Sequence, residues 1–227
     1  MITNQHFFNI AARGYDFMTR QDLWRRQIAA TLDLVSPVVE PMRVLDLGCG
    51  PGISAFVLAD LLPNSTVVGV DVSDVMIARA RRHHQRRHED LDNLRFEEAD
   101  VYDLPFPAKS FDLILAHSFF YLMPDRSSAV TAAYEVLDQG GRLVALEPNA
   151  EGSLRRATGQ APLSGVANQP MATARFAASM ILWRIVSATR GRISPDELVG
   201  YFRAAGFDEI HIQPTLGGLG LHATGQR

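Results

Sequence analysis

The sequence predicts an α/β, doubly wound parallel sheet, and three observations carry that prediction. Arg43-Val-Leu-Asp-Leu-Gly-Cys-Gly-Pro-Gly52, followed by Thr66-Val-Val-Gly-Val-Asp71, reads as a buried strand, a glycine turn, a helix and a second strand ending in a carboxylate. Strand-like and helix-like stretches then keep alternating as far as Glu147, in the order β-α-β-α-β-β-α-β. The chain of 227 residues, 47% hydrophobic and 21% charged, has ordinary globular composition and enough length for one well-filled core. It is therefore read as one domain over residues 1–227, without internal repeats or low-complexity tracts.

In the first unit, Val44, Leu45 and Leu47 supply the apolar strand. Gly48, Gly50 and Gly52 remove side chains where the backbone must bend sharply and a ligand must come close. Asp71 follows roughly 20 residues later, where a strand-end carboxylate accepts both hydroxyl protons of a ribose. A dinucleotide fingerprint needs Gly-x-Gly-x-x-Gly so that a pyrophosphate sits on the helix N-terminus. Here the third glycine comes one residue early, and Ile53 stands in the expected place. No Lys-Ser or Lys-Thr pair follows, which excludes a triphosphate loop. The remaining ligand has a ribose and no phosphates, and S-adenosylmethionine is the commonest such cofactor.

Asn93-Leu-Arg-Phe-Glu-Glu-Ala-Asp100-Val-Tyr-Asp-Leu-Pro-Phe106 reads as a short third strand running into a turn. Ser110 to Ser118 is an apolar fourth strand. Its C-terminal end falls where open α/β sheets bind ligands, so His117 and Ser118 face the pocket. An amphipathic helix from Arg126 to Leu137 precedes Gly140-Gly-Arg-Leu-Val-Ala-Leu-Glu147, a turn and a fifth strand. Gly152, Gly159, Pro162, Gly165 and Pro170 then punctuate a stretch of small and polar residues that reads as a loop. A helix is expected from about Pro170 to Arg190, with Phe176, Met180, Trp183 and Ser187 on one face. Ser194-Pro-Asp-Glu197 opens a further helix that stops at Gly206, and strands are expected over Glu209 to Gln213 and Leu219 to Thr224.

The segment Asp46-Leu-Gly-Cys-Gly-Pro-Gly52, with Asp71 and the Asp100 turn in order behind it, resembles the class I S-adenosylmethionine-dependent methyltransferases. Phe8-Asn-Ile-Ala-Ala-Arg-Gly-Tyr-Asp16, Asp22-Leu-Trp-Arg-Arg26 and the late Gly217-Gly-Leu-Gly-Leu-His-Ala-Thr224 are similar to the ubiquinone and menaquinone C-methyltransferase group. Between Glu147 and Ser194 the chain departs from the quinone enzymes' pattern. The resemblance implies a seven-stranded, Rossmann-like sheet of order 3-2-1-4-5-7-6 with strand 7 antiparallel, a helical N-terminal lid over residues 1–35, and a helical cap insertion over 150–193. It also implies cofactor contacts at Tyr15, Asp46, Gly48, Cys49, Gly50, Gly52, Asp71, Val72, Met76, Asp100, Val101 and His117. Asp100 and the amide of Val101 would recognise the adenine, and Tyr15 the amino-acid end.

The implied reaction is methyl transfer to a small lipophilic acceptor, such as a quinone, isoprenoid, lipid or natural product. An S-adenosylmethionine-binding protein with no transfer or different chemistry is the alternative. His117 and Tyr121 are the candidate catalytic groups: oxygen and carbon acceptors require proton removal, although His117 also reads as a residue simply lining the pocket. Glu147 reads equally as a structural hydrogen-bond acceptor or a substrate contact, and Trp183 with Phe176 as core packing or an acceptor platform. Arg79, Arg82, Arg86 and Arg87 form a solvated face, with peripheral contact to an anionic membrane as the alternative. A net charge of −3 gives no reason to expect nucleic acid. No metal site is expected, because Cys49 is a single thiol. That lone cysteine and the lack of an export-type N-terminus point to a cytoplasmic setting.

Overall fold

Strands covered on both faces must be apolar without a break, and this requirement organises the centre of the molecule. A computed structural model describes residues 22–35, 37–153 and 170–227. In chain order they form α1 (Asp22–Asp33), β1 (Arg43–Leu47), α2 (Ile53–Leu61), β2 (Thr66–Asp71), α3 (Asp74–Arg87), β3 (Leu94–Glu98), β4 (Phe111–His117) and a 3-10 turn (Phe120–Leu122). Then come α4 (Arg126–Val136), β5 (Leu137–Pro148), α5 (Pro170–Arg190), α6 (Pro195–Ala205), β6 (Asp208–Thr215) and β7 (Gly220–Gln226). The seven strands make one sheet of order β3-β2-β1-β4-β5-β7-β6, and β7 runs antiparallel to both of its neighbours. This is the order that the resemblance implied.

Alternate residues of the central strands serve opposite layers. Leu45, Leu47, Ile114 and Ala116 pack with Ala129 and Val130 of α4 and with Leu198 and Phe202 of α6. Val44, Leu113 and Leu115 pack on the other face with Ile28 of α1, Phe56 and Leu58 of α2 and Ile77 of α3. α2 lies between sheet and α1, which explains why six consecutive residues from Ser54 to Ala59 are buried and why it has no polar face. At the N-terminal edge of the sheet, Arg43 bridges Asp112 at 2.6 Å and Asp138 at 2.8 Å, tying together the starts of β1, β4 and β5.

α6 begins where the sequence placed a helix start, with Ser194 and Glu197 forming a capping box, and ends at Gly206, whose φ of 100° suits glycine at a helix stop. α5 covers the span expected from Pro170 to Arg190. Met180, Trp183 and Ser187 are buried as that periodicity requires, together with Arg184. The side chain of Phe176 lies outside the described residues. So do residues 1–21, and with them Tyr15 and most of the expected lid. Arg82, Arg86 and Arg87 are exposed on α3. No helix among the described residues is long and apolar enough to cross a membrane.

Candidate functional site

The C-terminal ends of β1, β2 and β4 meet around the glycine turn. Gly48, Gly50 and Gly52 have φ values of 73°, 53° and 93°, so all three occupy the left-handed region that glycine alone enters without strain. Space demands glycine as well. A Cβ on Gly48 would overlap the ring of Phe119, and one on Gly52 would stand 2.8 Å from the ring of Phe96. The turn is held by the amides of Gly48 and Cys49, which both donate to the carbonyl of Val70, at 2.9 and 2.8 Å. Cys49 is buried against the α2 layer, and burial raises its thiol well above the usual range, so it is a protonated packing residue.

Asp71 ends β2 beside this turn. Its Oδ2 accepts from the Gly50 amide at 3.0 Å and its Oδ1 from the Ser73 amide at 2.8 Å. Those contacts fix the carboxylate and leave each oxygen a further lone pair, which is what a pair of vicinal hydroxyls needs. Burial raises the pKa of Asp71, and the two amides pull it back. Ser73 also caps α3 by accepting from the amide of Met76, whose own side chain is buried, while Val72 is partly covered. Asp46 is 1% exposed in the middle of β1. Its Oδ2 accepts from the Ser54 hydroxyl at 2.5 Å, and its Oδ1 has no hydrogen-bond partner among the described residues. Burial first, with the nearby Asp71 adding, pushes Asp46 up to about 7 against the pull of the Ser54 hydroxyl and the Ala55 amide. A buried carboxyl oxygen with no donor favours a cationic or hydrogen-bonding ligand group next to it.

The remaining predicted residues divide between pocket and core. Asp100 is exposed in the turn after β3 and accepts from the Tyr102 amide at 3.0 Å, while the Val101 side chain is buried. Tyr121 is 3% exposed and packs in the α4 and α6 layer. His117 ends β4 on the opposite face, and burial, reinforced by the nearby His222, lowers it to about 4, so it is neutral at physiological pH. Glu147 turns out to be a structural acceptor. It is fully buried, and its carboxylate receives the amides of Phe119 at 3.0 Å, Phe120 at 2.8 Å and Tyr121 at 3.1 Å. Those bonds support the sharp turn after β4, where Ser118 has a φ of 57°. Trp183 packs with Met180, Leu146 and Leu219, and its indole N–H donates to Ser118 Oγ at 3.2 Å.

Ser54, Arg184 and His222 were not given a role from the sequence, whereas Ser118, read there as facing the pocket, accepts the Trp183 bond. Arg184 is 5% exposed and donates to the carbonyls of Asn149, Gly152 and Leu219, which ties α5 to the loop after β5 and to the start of β7. His222 did carry a signal: it shares strand parity with Thr224 between the apolar positions Leu221 and Ala223, marking the polar positions of one sheet face.

A family model described as a methyltransferase domain matches residues 39–196. The demethylmenaquinone methyltransferase of Thermus thermophilus is 40% identical over 147 residues, covering 62% of this chain and 63% of that protein. A trans-aconitate 2-methyltransferase of Methylobacterium nodulans is 34% identical over 184 residues, covering 80% of this chain and 64% of that protein. The chain thus spans less than two thirds of the length of either relative. Among solved structures, a SAM-dependent methyltransferase from Aquifex aeolicus superposes with a TM-score of 0.62 at 16% identity, over 87% of this chain and 88% of that one. At that identity the likeness shows the fold alone.

Proposed function

The chain belongs to the methyltransferase-domain family of the class I, S-adenosylmethionine-dependent type, and from that premise we propose that it transfers a methyl group from this cofactor to a small lipophilic acceptor. The observation that carries the reading is Asp71, held by the amides of Gly50 and Ser73 next to a turn whose three glycines all have positive φ. A ribose diol matches the free lone pairs of Asp71, and the open backbone of Gly48 to Gly52 admits a ligand at close range. The unpartnered Oδ1 of Asp46 matches a positively charged group. Asp100 and the amide of Val101 are the adenine-binding groups in this reading, with Cys49, Val72 and Met76 as packing around the cofactor.

When bound, S-adenosylmethionine supplies a methyl group already activated on a sulfonium. The chain's own work is then to position the acceptor and exclude water. His117, neutral at pH 7, orients an acceptor by accepting its hydrogen bond. With a pKa near 4 it is a weak proton store, which favours the orienting role over that of a general base. Tyr121, the other candidate catalytic group, is buried in the layer of α4 and α6 on the other face of the sheet, which favours a packing role over proton transfer.

An apolar acceptor is favoured because Leu146, the β5 partner of His117, belongs to an apolar cluster with Met180, Trp183 and Leu219. The two relatives act, by their names, on demethylmenaquinone and on trans-aconitate, which are opposite extremes of polarity. The test is incubation with methyl-labelled cofactor and each of these compounds in parallel. Label in an apolar-extractable product supports the reading; label on trans-aconitate alone overturns the acceptor class. Tight cofactor binding without transfer to any acceptor, including a lipid extract, would favour a binding protein instead.

A further inference from the structure

We propose that His222 forms a hydrogen-bonding subsite for an oxygen substituent on the acceptor, across the sheet from the reacting end beside His117. The proposal rests on the reading of the site as a pocket for a lipophilic acceptor. Its first ground is register. His117 on β4 pairs with Leu146 on β5, and Leu146 pairs with His222 on β7, so the three side chains form one row on one face. Neighbouring strands lie about 4.8 Å apart, which sets His222 roughly 10 Å from His117 along that row.

The second ground is what covers the row. Leu146 packs under Met180 and Trp183 of α5. On the β6 side, Gln213 pairs with His222, and Thr215, two residues on and on the same face, donates its hydroxyl to Gln27 Oε1 of α1 at 2.9 Å. His222 therefore lies in the row between Leu146, which packs on α5, and the β6 strand whose Thr215 meets α1.

The third ground is an unmet demand. His222 is 4% exposed, and its Nε2 has no hydrogen-bond partner among the described residues. A buried ring nitrogen in that state is destabilising until a partner arrives, and an apolar neighbour cannot serve. Burial lowers His222 to about 4, so the ring offers one N–H and one lone pair at neutral pH, which together suit a hydroxyl or ketone oxygen. A bifunctional acceptor is implied, with an apolar body against the cluster of Leu146, Met180 and Trp183, one end at His117 and an oxygen at His222.

The test uses protein saturated with S-adenosylhomocysteine and two probes of matched shape, 2-naphthol and 2-methylnaphthalene. Wild type should bind 2-naphthol about 5–10-fold more tightly, as expected for one buried hydrogen bond. His222→Leu should equalise the two affinities, and His222→Gln, which keeps a polar atom near the Nε2 position, should restore part of the preference. Neither variant should change S-adenosylhomocysteine affinity, which also reports that each is folded. A preference that persists in His222→Leu, or equal binding of both probes by wild type, overturns the subsite and leaves the lipophilic pocket standing. If wild type binds neither probe, the lipophilic-acceptor reading falls and the subsite falls with it.

Discussion

Asp71 and Asp46 share one turn but differ in what they lack. Asp71 has two internal donors, so Asp71→Asn should stay folded while weakening S-adenosylmethionine binding by about 1.5–3 kcal/mol, the usual worth of hydrogen bonds to a charged group. Calorimetric affinity within threefold of wild type would contradict its role on the ribose. Asp46 makes a pH-dependent prediction. Its pKa of about 7 in the ligand-free protein means that much of it is protonated near neutrality. A cationic ligand prefers the ionised carboxyl, so binding should release a proton, and affinity should rise as pH climbs from 6 through 7 by up to about tenfold per unit. Asp46→Asn should flatten that dependence, measured by calorimetry in two buffers of different ionisation enthalpy. These two carboxylates were legible in the sequence because strand ends and glycine turns are local patterns. Glu147 was only half legible: its position at the end of β5 could be read, but its three amide partners lie 26 to 28 residues away and exist only once β4 and β5 pair.

At the scale of elements, local chemistry and tertiary packing separate cleanly. α6 has its start and stop written in Ser194, Glu197 and Gly206, and Ser194→Ala should cost about 1 kcal/mol in urea denaturation, the usual worth of a helix N-cap that accepts from a first-turn amide. The periodicity of α5 predicted its buried face at Met180, Trp183 and Ser187, but not the buried Arg184, because a guanidinium inside a helix face depends on carbonyls from Asn149, Gly152 and Leu219. Nor did periodicity decide whether Trp183 serves the core or the acceptor. The structure gives it both a packing cluster and a bond to Ser118 beside His117. Trp183→Phe keeps most of the packing and removes that donor, so it should lower stability by about 1 kcal/mol and raise the acceptor KM while cofactor affinity stays unchanged. A loss of cofactor affinity equal to the loss in KM would mean that α5 supports the whole site and not the acceptor alone.

In the whole molecule the two edges of the sheet do different work. The C-terminal edge carries the glycine turn, Asp71 and His117, where strand ends leave backbone groups and side chains available to a ligand. The N-terminal edge carries Arg43 with Asp112 and Asp138, a partly exposed network that lowers both carboxyl pKa values through hydrogen bonds to the guanidinium. Its contribution should therefore be modest and screened by salt. If the one sheet unfolds as a unit, S-adenosylmethionine at about 100 times its Kd should stabilise the protein by about 2.7 kcal/mol and move a single calorimetric transition upward by several degrees. Arg43→Gln should lower the starting Tm and leave that ligand-induced shift intact, because nothing at the N-terminal edge touches the pocket. Asp71→Asn should do the reverse, shrinking the shift at the same ligand concentration. Two resolved transitions, of which the ligand moves only one, would mean that the β1 to β4 half and the β5 to β7 half with its cap melt separately, and the reading of the chain as one domain would give way.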